Sequence, residues 1–289
     1  MGHWKGGRAL LWPDSRGGCH YTNQFPRKIR IVFPMRPQLL CPSGTDLNPK
    51  QRLVPFAMHP LDNVIWHALN TRQAHFAESC DHARRFRREV TSLCAFDEPN
   101  THGYSSLANL VGERGTAAVF LDKPYDATDG WEFIGGAPLL EMVCENGDAS
   151  AASAGSLPKL VELGVQDSPE MVELTTLTKP GPFGTRTHEL GYYVGIRDGG
   201  KLAAMAGERL KVPGYTEVSA VCTHPDHTGK GYARALMLDV MRRIRERGEK
   251  PFLHVRRDNT RAVQLYEKLG FTTRVVVHYA ILRRPQRDS

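Results

Sequence analysis

VCTHPDHTGKGYAR, Val221–Arg234, is the stretch whose reading decides the fold. It continues a run of strand composition, Glu217 to Thr223, then passes through a turn holding Gly229 and Gly231 and enters a helical pattern. A strand-to-helix junction of this kind aims several unpaired backbone N–H groups at one point, backed by the positive end of the helix dipole. The guest it suits is an anion of phosphate type. Glycine serves there because a Cβ would hold a pyrophosphate away from the donors. Lys230 adds charge at the rim. Two other phosphate motifs do not fit. A Walker A loop needs Gly where His224 stands and Ser or Thr where Gly231 stands; the dinucleotide fingerprint needs its third Gly where Arg234 stands. On these residues alone, a glycine turn that merely joins strand to helix remains the alternative.

Working outward, residues from about Gly231 to Arg247 read as a helix. Ala233, Leu236, Met237, Val240, Met241 and Ile244 form one apolar stripe, and Gly248 supplies a stop. Pro251 to Val255 reads as a strand, Asn259 to Leu269 as a second helix stopped by Gly270, and Phe271 to Leu282 as the last strand or strands. Upstream, Leu190 to Arg197 and Lys201 to Leu210 flank Asp198-Gly199-Gly200, a hairpin turn. The order β-β-β-α-β-α-β predicts an α/β layered domain over 166–289.

Residues 146–157 are small and polar, which predicts a flexible linker within 149–165. Residues 58–148 read as a smaller α/β unit. Val64, Ile65, Ala68 and Leu69 recur at helical spacing, as do Leu107, Leu110 and Val111; Ala117 to Leu121, Trp131 to Ile134 and Leu139 to Cys144 read as strands. No catalytic constellation stands out there.

The formal charge of +7 is a property of residues 1–57, which hold nine Lys or Arg against two Asp, so the remaining residues balance. The body therefore lacks the electrostatic support that a nucleic-acid partner requires. Prolines at 13, 26, 34, 37, 42, 49 and 55 break every apolar run in that first segment, which predicts a disordered basic extension. A natural start near Met58 is the alternative. No apolar run is long enough for a membrane span, so no membrane partner is expected. The six scattered cysteines, with no CxxC pair, read as reduced thiols of a cytoplasmic protein.

Beyond Gly231 comes a second motif, Asp258-Asn259-Thr-Arg-Ala262-Val-Gln-Leu-Tyr266-Glu-Lys-Leu-Gly270-Phe271. Together the two segments resemble the GNAT superfamily of acyl-CoA-dependent N-acyltransferases, over about residues 170–282. The branch most alike is that of glycine N-acyltransferases, where a degenerate N-terminal half precedes the catalytic one. In this family a [Q/R]-x-x-G-x-[G/A] loop binds the CoA pyrophosphate and an N-x-x-A-x-x-x-Y helix follows. Thr228 stands here in place of the usual Gln or Arg.

The resemblance implies a mixed, mostly antiparallel twisted sheet flanked by helices, after a smaller degenerate α/β domain. It implies acetyl-CoA, or another acyl-CoA, as co-substrate with no metal. The acceptor would be a primary amine, on a small molecule or a peptide, attacking directly in a ternary complex. A non-catalytic acyl-CoA-binding or regulatory protein is the alternative. Backbone groups of Val221, Cys222 and Thr223 would pair with the pantetheine arm. Thr228, Gly229, Lys230, Gly231, Tyr232, Ala233 and Arg234 would hold the pyrophosphate, and Asn259 would contact CoA. Tyr266 would donate a proton to the departing thiolate, with apolar-face packing as its other reading. The backbone N–H of Cys222 is the implied oxyanion donor.

The chemistry also needs a proton acceptor for the amine. Glu217, six residues before Thr223 on one strand, is the candidate; a solvent-facing strand glutamate is equally consistent with the pattern. Cys222, His224 and His227 resemble a metal cluster by type, but no fourth ligand lies nearby. Arg242, Arg243, Arg245 and Arg247 lie opposite the apolar stripe and read as a solvated face. Thr178-Lys-Pro-Gly-Pro-Phe183 is a rigid loop placed where this family covers its acceptor.

Overall fold

The computed structural model describes residues 59–126, 130–145 and 158–284. The basic extension expected at 1–57 and the small-residue stretch 146–157 lie outside the described residues. The chain opens with helix α1 (Val64–Asn70), strands β1 (Ala77–Cys80), β2 (Ala83–Phe86) and β3 (Cys94–Phe96), and helix α2 (Thr101–Val111). Strands β4 (Thr116–Leu121), β5 (Glu132–Val143) and β6 (Leu160–Glu162) follow, then helix α3 (Ser168–Thr178). The remaining elements are β7 (Tyr193–Asp198), β8 (Lys201–Val212), β9 (Tyr215–Thr223), α4 (Tyr232–Glu246), β10 (Lys250–Arg256), α5 (Thr260–Lys268) and β11 (Thr272–Arg283).

Among the described residues, eight strands form one sheet in the order β4-β11-β5-β10-β9-β8-β7-β6, and β1-β2-β3 form a small second sheet. In the large sheet only β9 and β10 run parallel; every other neighbouring pair is antiparallel. This is the mixed, mostly antiparallel sheet with flanking helices that the sequence leads one to expect. Residues 58–148, expected as a unit preceding the sheet, supply β4 and β5 to it. Strand β5 lies between β10 and β11 because its residues pair with both (Leu140 with Val255 and with Val276). Leu160–Glu162, within the stretch expected as linker, forms an edge strand on β7.

Trp131–Ile134 and Leu139–Cys144, read as separate strands, merge into the single β5 because Gly135 and Gly136 carry the chain through. Gly136 has φ +156°, and a Cβ there would collide with the carbonyl of Tyr279 on β11, so only glycine allows the two backbones to stay paired. Helix α4 buries Leu236, Met237, Val240, Met241 and Ile244 against one face of the sheet, beside Tyr266 and Leu269 of the α5 region. Leu61, Val64, Ile65 and Leu69 of the α1 region cover the other face over Val143, Leu210 and Phe252. Helix α3 packs Met171 and Leu174 against Tyr193, Met205 and Cys222.

Gly207 in β8 lies against the ring of Tyr193, which is 1% exposed, so an added Cβ would overlap that ring. Tyr193 has no room to swing aside. Gly207→Ala is expected to lower unfolding free energy by about 1–3 kcal/mol through overpacking, measured by urea denaturation. An unchanged midpoint would show that the β7–β8 contact yields easily.

Candidate functional site

The site begins with a defect in pairing. Strand β9 pairs with β10 at Tyr215, Thr216 and Glu217 and, among the described residues, no further pair forms beyond Glu217–Phe252. The cause lies in β9 itself. Between Ser219 and Cys222 its register against β8 slips, and Ala220 takes φ +53°, a conformation uncommon for a residue with a side chain. The bulge turns the end of β9 away from β10. Residues 218–223 then face 253–256 across a cavity of about 660 Å³. Backbone groups along such a parting lack a strand partner, and a bound extended chain would satisfy them.

Val221, Cys222 and Thr223 line this cavity, and so do Asn259 and Tyr266 from α5 and its cap. Tyr266 is 8% exposed. Burial pushes its hydroxyl up to about 12, with the nearby Cys222 adding to the effect. Asn259 caps α5, its Oδ1 accepting from Ala262 N–H at 3.2 Å. Cys222 is buried, and burial pushes its thiol up to about 11, which keeps it a neutral thiol.

The loop 228–234 continues from the Thr223 end of β9 and does not itself line the cavity. Gly229 and Gly231 have φ +81° and +78°, with open space where a Cβ would stand. Gly231 is the N-cap of α4 and provides no side-chain cap, so the N–H groups of Tyr232 and Ala233 open the helix without that partner. Thr228 spends its hydroxyl inside the loop, donating to the Pro225 carbonyl at 3.1 Å. The Lys230 ammonium lies 3.6 Å from Asp198 and within 3.1 Å of His227 Nδ1. Tyr232 stacks on His227 with ring centroids 6.4 Å apart.

Glu217 departs from the expectation placed on it. Its side chain is 1% exposed, and both oxygens are occupied. Arg209 grips it bidentately at 2.8 and 2.7 Å, Leu210 N–H donates at 3.2 Å and His254 Nδ1 lies at 2.7 Å. Burial alone would raise its pKa, but Arg209 and His254 outweigh burial and hold the carboxyl at about 2. A carboxylate saturated in this way has neither a free lone pair toward the cavity nor the basicity to take a proton from an amine. Its role is to fix Arg209 and His254, which both line the cavity. Neither was singled out from the sequence, because each pairing is made across strands.

The chain of charges runs on. His254 Nε2 lies 3.4 Å from Glu141 Oε2, and Glu141 Oε1 accepts from Arg274, which also meets Asp62 at 2.8 Å. Burial works against the charged form of His254, yet its two carboxylate neighbours raise its pKa above the ordinary 6.5. Phe120 packs over the imidazole with ring centroids 4.5 Å apart. The rigid loop after α3 also reaches the cavity, through residues 178–182. Among the described residues no group of three His, Cys, Asp or Glu could hold a metal ion, and no helix is long and apolar enough to cross a membrane.

Glu217→Ala would strand Arg209 and His254 in the interior, and is expected to cost about 3–5 kcal/mol of stability. Glu217 titrates at about 2 in the fold against an ordinary 4.5, so its contribution is full above pH 4.5 and is lost as pH falls toward 2. His254 contributes fully below 6.5 and loses its contribution as pH rises through its higher folded value. Urea unfolding followed against pH should show both limbs in the native chain and a shallower acid limb in Glu217→Gln. Superimposable acid limbs would mean Glu217 is not ion-paired in solution.

Comparison with known proteins points in one direction. The family model described as FR47-like protein matches residues 193–280, from β7 into β11. A structure from Novosphingobium aromaticivorans, assigned to the GNAT acetyltransferase family, is 33% identical with a TM-score of 0.69, covering 79% of this chain and 100% of that one. The N-alpha-acetyltransferase RimI of Mycobacterium tuberculosis is 37% identical over 83 residues, 28% of this chain and 51% of the relative. The mycothiol acetyltransferase of Saccharomonospora viridis is 45% identical over 58 residues, 20% of this chain and 19% of that protein. The chain thus spans about half or less of the length of the curated relatives it matches.

Proposed function

This chain belongs to the GNAT family of acetyltransferases, and we propose that it transfers a short acyl group, acetyl first, from acyl-CoA to a primary amine by direct attack. The observation that carries this reading is the parting of β9 and β10, which opens a cavity lined by Tyr266, while the chain leaving β9 runs on to a glycine-opened helix terminus.

The residues present fit an acyl-CoA. An extended arm laid along Val221–Thr223 would take the place of the missing strand, and phosphates would meet the N–H groups from Gly229 through Arg234, with Lys230 beside them. The bound thioester supplies an activated acyl carbon. The protein contributes placement and charge. Holding an amine within reach of that carbon is worth several orders of magnitude by itself. Tyr266, whose hydroxyl burial holds in the protonated form, would donate that proton to a departing thiolate. The backbone of the bulge around Ala220–Cys222 offers donors for an oxyanion. Among the described residues the cavity lining contains no carboxylate. The amine would attack in its neutral form, so the rate should follow the acceptor's own ionisation.

Tyr266→Phe is expected to lower turnover about 100-fold or more while acetyl-CoA affinity stays within a few fold. Equal loss of both would make Tyr266 a packing residue. Gly231→Glu, which adds bulk and negative charge at the helix terminus, is expected to abolish acetyl-CoA binding in a calorimetric titration. Intact affinity would mean that the phosphates lie elsewhere. Thiol release from acetyl-CoA with a panel of amines then tests catalysis. Binding without release by any amine would favour the acyl-CoA-binding alternative, with which the spent hydroxyl of Thr228 agrees.

A further inference from the structure

A second cavity, of about 460 Å³, shares Phe120 in its lining with the transfer cleft. Its walls are apolar, built from Leu61, Val64, Phe96, Leu121 and Val276 among others. Its charges are of the opposite kind to those of the cleft. The cleft is lined by Lys179, Arg209, His254 and Arg256 with no carboxylate. The second cavity is lined by Asp62, Asp97, Glu98, Asp122 and Glu141 against the single guanidinium of Arg274.

That surplus is not neutralised from within. Arg274 is shared between Asp62 and Glu141, and His82 answers Asp97 at 2.6 Å. Glu98 accepts only neutral donation, from Asn100 Nδ2 at 3.0 Å, and Asp122 has no ion-pair partner among the described residues. Below the rim, Glu141 is fully buried, with Arg274 on one oxygen and His254 Nε2 3.4 Å from the other. Among the described residues, Glu98 and Asp122 are the rim carboxylates left without a cation, and a ligand cation would compensate them.

We propose that this second cavity binds an organic cation, an ammonium group carried on an apolar body. The apolar walls, Phe96 and Phe120 among them, take the body, and the carboxylates of Glu98 and Asp122 at the rim compensate the charge. The site is separate from the one that holds the acceptor amine, and the inference does not rest on acyl transfer. Glu141, in contact with His254 and through it with Glu217, gives the bound cation a line of charges to the transfer cleft.

Benzyltrimethylammonium is the probe, because a quaternary nitrogen has no proton to lose and cannot serve as acyl acceptor. Titrated into the full chain and followed by ligand-observed NMR, it is expected to bind saturably, and about tenfold more tightly than benzyl alcohol. Asp122→Lys, an exposed change that leaves the fold intact, should weaken it about tenfold; Glu98→Gln should weaken it as well. Gly231→Glu should leave it unchanged. Equal affinity for benzyl alcohol, indifference to Asp122→Lys, loss of binding in Gly231→Glu, or no saturable binding would each overturn the proposal. If the acyltransferase reading failed while the probe bound as expected, the second site would stand by itself.

Discussion

The parting of β9 from β10 is the constraint on which the rest of the structure depends. Two parallel strands in the middle of a sheet stop pairing at Glu217 and Phe252, and the backbone beyond them is left for something else to satisfy. Such a defect has to be held open against the tendency of strands to zip. Helices α4 and α5 brace one face of the sheet with a continuous apolar layer. At the vertex, Arg209, Glu217 and His254 lock both strands through charges too deeply buried to rearrange. The bulge at Ala220 does the bending.

This arrangement changes what a buried glutamate means. On an exposed strand, Glu217 would be a free base. Here four donors saturate it, and its strength as an anion is spent on geometry. Residues 59–143 take on more weight than a degenerate preceding unit would carry. They give the large sheet β4 and β5, and they supply Phe120, Glu141 and Asp122 to the walls of the two cavities. A single row of alternating charges, Arg209–Glu217–His254–Glu141–Arg274–Asp62, then joins one cavity to the other.

Much of the C-terminal half was legible as sequence. The α4 stripe has a helical period, glycine stands where φ is positive, and Asn259 and Tyr266 fall seven residues apart on one short helix. All of these are local signals. Helix α3 was not legible, because its apolar residues do not keep one face: Met171 and Leu174 are buried while Leu177 is 52% exposed. The short strands β1–β3 were missed for a related reason: β1 and β2 carry charged residues such as Arg84 and Arg85, β3 is three residues long, and all owe their pairing to neighbours. Glu217 was found, but its partners were not, lying 8 and 37 residues away on strands whose register the sequence does not state.

By itself, the sequence determined the β-β-β-α-β-α-β order, the glycine turn before α4 and the tyrosine-bearing helix, because periodicity, φ preference and capping act over a few neighbouring residues. Tertiary structure alone decided that residues 116–143 join the same sheet, that β9 leaves β10, and that Glu217 is an anchor. Those outcomes depend on register and burial, which come into being only when distant strands lie side by side and exclude water.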